Sequence, residues 1–313
     1  MNFQRTLKDN ITLTGIALHS GKTVQLSLKP AAPNHGIKFF RTDLPGAPGV
    51  TAHFKNIVNT QLATTLGHGQ VQVSTVEHLM AALQIFGIDN LRVEVDGPEV
   101  PILDGSAEQF CDAIEEIGLQ SQLQNKAYLQ LRRRVELKLD SKWAVAEPSN
   151  RLEVHGTVEW DHPAIGFQEF KYIEGVTRYE ELASARTFGF LKDVENLKRM
   201  GLARGGSLDN AVVLDDGNVL NPEGLRYPDE FVRHKVLDAL GDFKLAGIAI
   251  TRTSDCIALD MICTHSFLRL FSRIPIISRL LIMSKEKSAD LLALAQLSAV
   301  SSLFDSLIHL TAS

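Results

Sequence analysis

Apolar residues recur at every second position near the start of the chain, at Ile11 and Leu13 and again at Val24, Leu26 and Leu28. Gly15 and the pair Ser20-Gly21 interrupt the alternation, which predicts short antiparallel strands joined by turns. The period changes after Ser74-Thr75. There VEHLMAALQIFG reads as a helix, with a hydroxyl residue at its start and Gly87 as its stop. LRVEVDG follows as a strand, and Gly105-Ser106 opens a second helix, AEQFCDAIEEIG, in which Phe110, Ile114 and Ile117 fall at helical spacing. The polar segment QSQLQNKAY, residues 120–128, breaks the apolar pattern and is expected to be a linker.

The second half repeats the order of the first. Strands (LQLRRRVELKL, WAVAEP, LEVHGTVEW) lead to a helical region, then to VVLDDGNVL as a strand pair turning at Asp216-Gly217, then to a long helix, PDEFVRHKVLDALGDFKLAG. Sheet-then-helix twice over predicts an α+β fold of two domains, residues 1–122 and 128–250. The expected form is a β-α-α-β sandwich with its helices packed between outer sheets.

Bulk properties narrow the function. At 313 residues, 44% apolar and 22% charged, the chain has the composition of a globular protein with room for two cores. A formal charge of −5 provides no basic footprint for nucleic acid, so no nucleic-acid partner is expected. The N-terminus lacks the charged segment and apolar run of an export signal, which makes a cytoplasmic location the expectation. Cys111, Cys256 and Cys263 make no paired spacing, so any metal would be held by histidines and carboxylates.

Two clusters carry candidate chemistry. On the long helix His234 and Asp238 stand at i and i+4 and can reach one ion from one face. The same spacing also suits a plain surface contact, but Lys235 and Asp242 share a helix whose Val232, Val236, Leu237, Leu240 and Phe243 are core material, as a buried polar site requires. The other cluster is Glu77-His78 at the start of the first helix, where an acidic residue is also what the helix dipole favours. Neither HExxH nor HxxEH occurs around it. Taken together, two imidazoles and one carboxylate from different helices make a three-ligand Zn²⁺ site with a position open to water, whose pKa can fall to about 7. Glu77 is then placed to take a proton and Lys235 to steady negative charge on a carbonyl oxygen.

Five segments in order, STVEHLMAAL, VPILDGSA, ARTFGF, GLARGGSLDNAVV and EFVRHKVLDALGD, resemble the UDP-3-O-acyl-N-acetylglucosamine deacetylase family of lipid A biosynthesis over about residues 2–250. The resemblance implies a sandwich of two domains, each with a sheet and two helices, meeting at the active site. It implies His78, His234 and Asp238 as zinc ligands, Glu77 as general base, Lys235 and Asp242 as polar support, and Thr187 as hydrogen-bond donor to the reacting oxyanion. Phe188, His19 and Lys142 match substrate-binding positions. An insert at about 190–220 would form an apolar passage for the acyl chain, lined by Leu191, Val194, Leu197, Ala203, Ser207, Ala211 and Val213. The same residues also suit a small helix packing its apolar face on a strand pair. Ala63 stands where a cysteine is often found near the metal. The implied partner is a UDP-3-O-acyl-glucosamine lipid, met by a monomer with no transmembrane segment and at most transient membrane proximity.

The motifs stop after LAGIAI, residues 245–250. The family continues to a Gly-His pair whose protonated histidine donates to the leaving amine, and no Gly-His occurs in 251–313. His265, in ICTHSF, does not match and receives no role. Codons compatible with Leu259 to Ser266, read in another frame, spell Gly-His-Asp-Leu-His-Ser, which points to a frameshift near residue 250. The rival reading of this aberrant tail is a membrane-surface helix over 266–283, with Arg269, Arg273 and Arg279 facing anionic lipid and Pro275 breaking its continuity. The expected consequences are an impaired deacetylase or, alternatively, a catalytically dead product that binds zinc and nucleotide-sugar lipid. Sequencing the gene across codon 250 tests the frameshift. A displaced reading frame restoring Gly-His is predicted, and an undisturbed frame would contradict it.

Overall fold

A computed structural model describes residues 3–130, 134–139, 142–247 and 249–251. The tail readings, including His265, fall outside the described residues. The fold is α+β, with several small sheets and four α-helices among these residues: α1 (Glu77–Ile85), α2 (Glu108–Ile117), α3 (Leu191–Arg199) and α4 (Glu230–Lys244).

The alternating N-terminal stretch forms the strands Ile11–Ile16 and Thr23–Pro30, paired antiparallel with Ile11 opposite Leu28 and Leu13 opposite Leu26. Gly15, expected as a break, lies inside the first strand opposite Val24. Its missing Cβ leaves room for Leu103 and Pro101, which would stand 3.0 and 3.1 Å from one. Leu91–Val95 pairs antiparallel with Thr23–Pro30 and parallel with Ile37–Arg41, and Gly49–Thr51 completes a five-stranded sheet. Its inward residues, Leu26, Leu28, Phe39, Val93 and Val95, are wholly buried in the same core as α1.

The expected linker is a strand. Leu119–Asn125 pairs antiparallel with Phe3–Leu7, and its polarity follows from lying in a two-stranded sheet with one side in solvent, Leu123 being 97% exposed. Gln122 is buried because it is bonded: its Oε1 accepts from Asn90 Nδ2 at 2.7 Å and its Nε2 donates to Ala31 O at 2.7 Å. In the second half the hairpin Glu153–Trp160 with Gly166–Ile173 covers α4, and Tyr128–Gln130 pairs parallel with Ala249–Thr251. The turn after Val212–Leu214 is closed by Asp215 Oδ1, which accepts from Gly217 N and Asn218 N.

The helical region before α4 differs from expectation. Among the described residues it supplies a single turn, Tyr179–Glu181, and α3, which buries none of its residues. Leu191, Val194 and Leu197 are too few apolar positions, among Lys192, Asp193, Glu195 and Lys198, to draw α3 into the core.

The centre of the molecule is the crossing of α1 and α4. Residues Glu77 to Gln84 of α1 are all buried, as are His234 and Val236 through Lys244 of α4. At the crossing the backbones touch: a Cβ on Gly241 would lie 2.1 Å from Glu77 O and 3.1 Å from Ala81 N. Any larger residue must push the helices apart against a close-packed core. Gly241→Ala is therefore predicted to destabilise the fold by about 1–3 kcal/mol or more, as overpacking does. Urea denaturation reads the change, and an unaltered midpoint would contradict the crossing.

Candidate metal centre

Glu77 and His78 occupy the first turn of α1, although the start of that helix is not built as its sequence predicts. Val76 is the N-cap residue and supplies no side-chain cap. Thr75 instead adopts a left-handed conformation, φ 57°, and donates its Oγ1 hydrogen to Glu99 Oε1 at 3.0 Å, while Ser74 Oγ pairs with Thr65 Oγ1. The buried Glu99 carboxylate also accepts from the backbone N–H groups of His19 and Ser20. One carboxylate thus fixes both the entry to α1 and the turn carrying His19.

Across the crossing, α4 presents His234, Lys235, Asp238 and Asp242 toward α1. Asp238 Oδ1 lies 3.6 Å from His78 Nε2 and 3.4 Å from His234 Nε2, and the three ligand atoms all fall within 4.8 Å of one another. The imidazoles meet edge to face at 4.9 Å between ring centres. His234 Nδ1 is 3.0 Å from Ala185 O. A carbonyl oxygen only accepts, so Nδ1 carries the proton and Nε2 turns a lone pair toward Asp238. Among the described residues, buried Asp238 Oδ1 has no hydrogen-bond partner. Lone pairs from two nitrogens and an oxygen aimed at one buried point repel unless a cation stands among them, so the donor set fits a divalent metal.

Protonation agrees with that fit. Burial, aided by the neighbouring His234, pushes His78 down to about 3, and burial likewise lowers His234, so both rings are neutral near pH 7. Burial acts upward on Asp238, but His234, Lys235 and His78 outweigh it and keep the carboxyl below its ordinary range. With both rings neutral, the positive charge left beside Asp238 is the Lys235 ammonium, 3.0 Å from Oδ2. The other two carboxyls go the opposite way. Burial, then the proximity of Asp238, raises Glu77 well above normal, and burial pushes Asp242 up to about 8. Thr64, which no sequence pattern singles out, joins them: its N–H donates to Glu77 Oε2 at 3.0 Å and its Oγ1 to Asp242 Oδ1 at 2.9 Å.

Phe188 reaches the site, its ring centre 6.4 Å from that of His234, on the segment 185–188 that also carries Thr187. Thr187 N donates to Gly105 O, and Thr187 O accepts from Val212 N. Gly105 is needed on two counts, a φ of 85° and a position where a Cβ would stand 2.1 Å from Asn210 O. Phe188 packs edge-on against Phe231 at 5.0 Å, with Lys235 Nζ 5.3 Å from its ring centre. Behind this segment Arg186, 2% exposed, donates to the fully buried Glu230 at 2.9 Å, to Glu223 and to Gly224 O. Arg226 ties Asp104 of the VPILDGSA segment to Ser184 O. These anchors were not among the candidate residues, although ARTFGF contains Arg186.

The remaining candidates are more scattered. Ala203, at φ 50°, donates its N–H to His19 Nδ1 at 3.4 Å, and Arg204 N donates to His19 O, which joins the insert to the first half of the chain. Leu191, Val194 and Leu197 lie on the exposed α3. Ser207 caps Asp209 within its loop, and Ala211 and Val213 are half-buried at the strand Val212–Leu214. The side chain of Lys142, first residue of the strand Lys142–Ala146, lies outside the described residues. Ala63 is buried beside Thr64.

A mixed α/β fold with two imidazoles and a carboxylate converging in a buried polar centre defines a candidate metal-dependent enzyme. The chain belongs to the UDP-3-O-acyl N-acetylglycosamine deacetylase (LpxC) family, whose model matches residues 4–258. That match runs past residue 250, where the recognisable motifs cease. The chain is 52% identical over 245 residues to the UDP-3-O-acyl-N-acetylglucosamine deacetylase of Myxococcus xanthus (strain DK1622), covering 78% of each chain. It is 49% identical over 249 residues to the deacetylase of the same name from Geobacter sp. (strain M21), covering 79% of this chain and 81% of that one. No helix among the described residues is long and apolar enough to cross a membrane.

The Arg186–Glu230 pair is the hidden support of the site. Arg186→Met removes the counter-charge of the fully buried Glu230, and a loss of about 3–5 kcal/mol in unfolding free energy is predicted. A loss under about 1 kcal/mol, typical of a surface pair, would contradict the role.

Proposed function

We propose that this chain is built to hydrolyse the N-acetyl group of a UDP-3-O-acyl-N-acetylglucosamine in lipid A biosynthesis, with Zn²⁺ held by His78, His234 and Asp238. The observation that carries the reading is the partnerless, buried Asp238 Oδ1 facing two imidazole nitrogens. Zinc, when bound, lowers the pKa of a coordinated water to about 7.

The protein's own groups supply the rest. Glu77, fixed by Thr64 N and adjacent to a ligand in the chain, is the general base: a cation held by the three ligands would offset the burial that favours its neutral form, leaving a carboxylate that accepts a proton from water. Lys235, whose ammonium sits between Asp238 and the face of Phe188, stabilises negative charge developing on the acetyl oxygen, with Thr187 as a second donor. Asp242 holds Thr64 and, through it, Glu77. His19 and Lys142 bind the nucleotide-sugar, and Phe188 lines its site. The exposed α3 and the loop through Ala203, Ser207, Ala211 and Val213 form the acyl passage, where each buried CH₂ contributes about 0.8 kcal/mol. That use accounts for an insert helix that buries nothing of its own. The halves 1–122 and 128–250 act as two domains meeting at this site, in a cytoplasmic monomer.

A second reading rests on one sequence observation, that 251–313 contains no Gly-His. Without a histidine to protonate the leaving amine, turnover falls by about 10²–10⁴, leaving at the limit a protein that binds zinc and nucleotide-sugar lipid without releasing acetate.

Two measurements test these readings. Metal analysis after purification without chelators is predicted to find one zinc per chain, lost in His234→Ala; undiminished zinc in that variant would refute the ligand set. Acetate release is predicted to run at least ~100-fold below that of the Myxococcus xanthus relative, and turnover within about tenfold would show that the missing motif is dispensable.

A further inference from the structure

At the opposite end of α4 from His234, beyond the crossing, lies a cavity of about 250 Å³. Its walls include Gln4, Asn34, Asp89, Asn90, Lys126 and Lys244. Most of these groups are already matched to one another. Asn90 Nδ2 donates to Gln4 and Gln122, and its Oδ1 accepts from Gly36 N. Asp89 Oδ2 accepts from Arg5 N at 2.8 Å and pairs with Lys126 Nζ at 3.0 Å, and Lys126 also donates to Gly87 O.

Lys244 is the exception. It is 7% exposed, and among the described residues its ammonium makes no hydrogen bond or ion pair. Burying an ammonium without a direct ion-pair partner is costly, and long cationic side chains are seldom so buried unless paired. Among the described residues the cavity walls carry two cations, Lys126 and Lys244, against the one carboxylate of Asp89. Arg5 adds a further cation nearby, its Nη1 3.8 Å from where a Cβ on Gly87 would stand, with Lys126 Nζ at 3.4 Å. Glu174, the other acid acting on Lys244, already accepts from Leu152 N.

We infer that this cavity is a binding site for a small oxyanion of the phosphate or carboxylate type, with Lys244 as its direct partner and Lys126 as its second cation. A cavity of this volume has room for such an anion together with several waters. Burial pushes the Lys244 ammonium down to about 8, with Asp89 acting against the shift and Lys126 with it. A bound anion would hold it charged. The plain alternative is a water-filled cavity in which Lys244 merely complements the C-terminal end of the helix dipole.

The test is the thermal midpoint of the full chain, titrated at pH 7 with sodium phosphate and separately with sodium acetate, ionic strength being held constant with chloride. A saturable rise is expected with at least one anion, phosphate alone assigning the phosphate class and acetate alone the carboxylate class. Lys244→Met should raise the half-saturating concentration about tenfold or abolish the response, and Asp89→Asn, which removes the competing carboxylate, should lower it about threefold. No saturable rise with either anion, or the same response in Lys244→Met as in the parent, overturns the inference. If Lys244→Met does not fold, Asp89→Asn decides, and an unchanged or weaker response overturns it.

Discussion

Gly241 rests on the carbonyl oxygen of Glu77, and the placement of every group in the candidate centre follows from that contact. His78 belongs to one helix, His234 and Asp238 to the other. Side chains of this length meet at one point only when the helix axes come unusually close. Glycine at the crossing removes the atoms that would hold them apart, and the close-packed sheets on either side keep them together. The glycine is thus a structural residue whose effect is chemical.

That crossing forces several ionisable groups into one dry space, where they no longer behave alike. Asp238 remains charged beside Lys235, Glu77 and Asp242 are driven toward the neutral form, and both imidazoles lose their protons. The result is a set of neutral nitrogen ligands with a charged oxygen, flanked by two carboxyls that share Thr64. Such a cluster destabilises the empty fold, because each desolvated group loses its water, and a cation at the centre offsets that cost. Supports further out keep it rigid: Ala185 O fixes the His234 ring, Arg186 and Glu230 brace the segment from which that carbonyl comes, and Glu99 fixes the start of α1.

Much of this was legible in the sequence wherever a pattern lies within one element. The alternation at 11–28 gave the right strand pair, and the i, i+4 spacing of His234 and Asp238 gave the right face of a helix. The ligand chemistry suggested that Glu77-His78 belongs with them, and the motif resemblance implied it more specifically. What stayed hidden depends on contacts between distant segments. Thr64 and Asp242 are 178 residues apart, and nothing local marks either as the other's partner. The polar stretch at 120–128 read as a linker because pattern rules measure burial, whereas Leu119–Asn125 is held by backbone pairing at the surface, which polar side chains do not prevent. Thr75 misled for a related reason: a hydroxyl before a helix normally caps it, but here a buried carboxylate competes for the hydrogen. Nothing local marks Lys244 as buried, since a lysine in the last turn of a helix is what the helix dipole favours.

The proposed function requires α1 and α4 to hold one metal ion between them. X-ray absorption at the zinc edge of the loaded, full-length chain tests it most directly. Two imidazole nitrogens and carboxylate or water oxygens at about 2.0–2.2 Å are predicted. A sulfur scatterer at about 2.3 Å, which would place a cysteine on the metal, or a spectrum unchanged when His78 is replaced, would contradict the account.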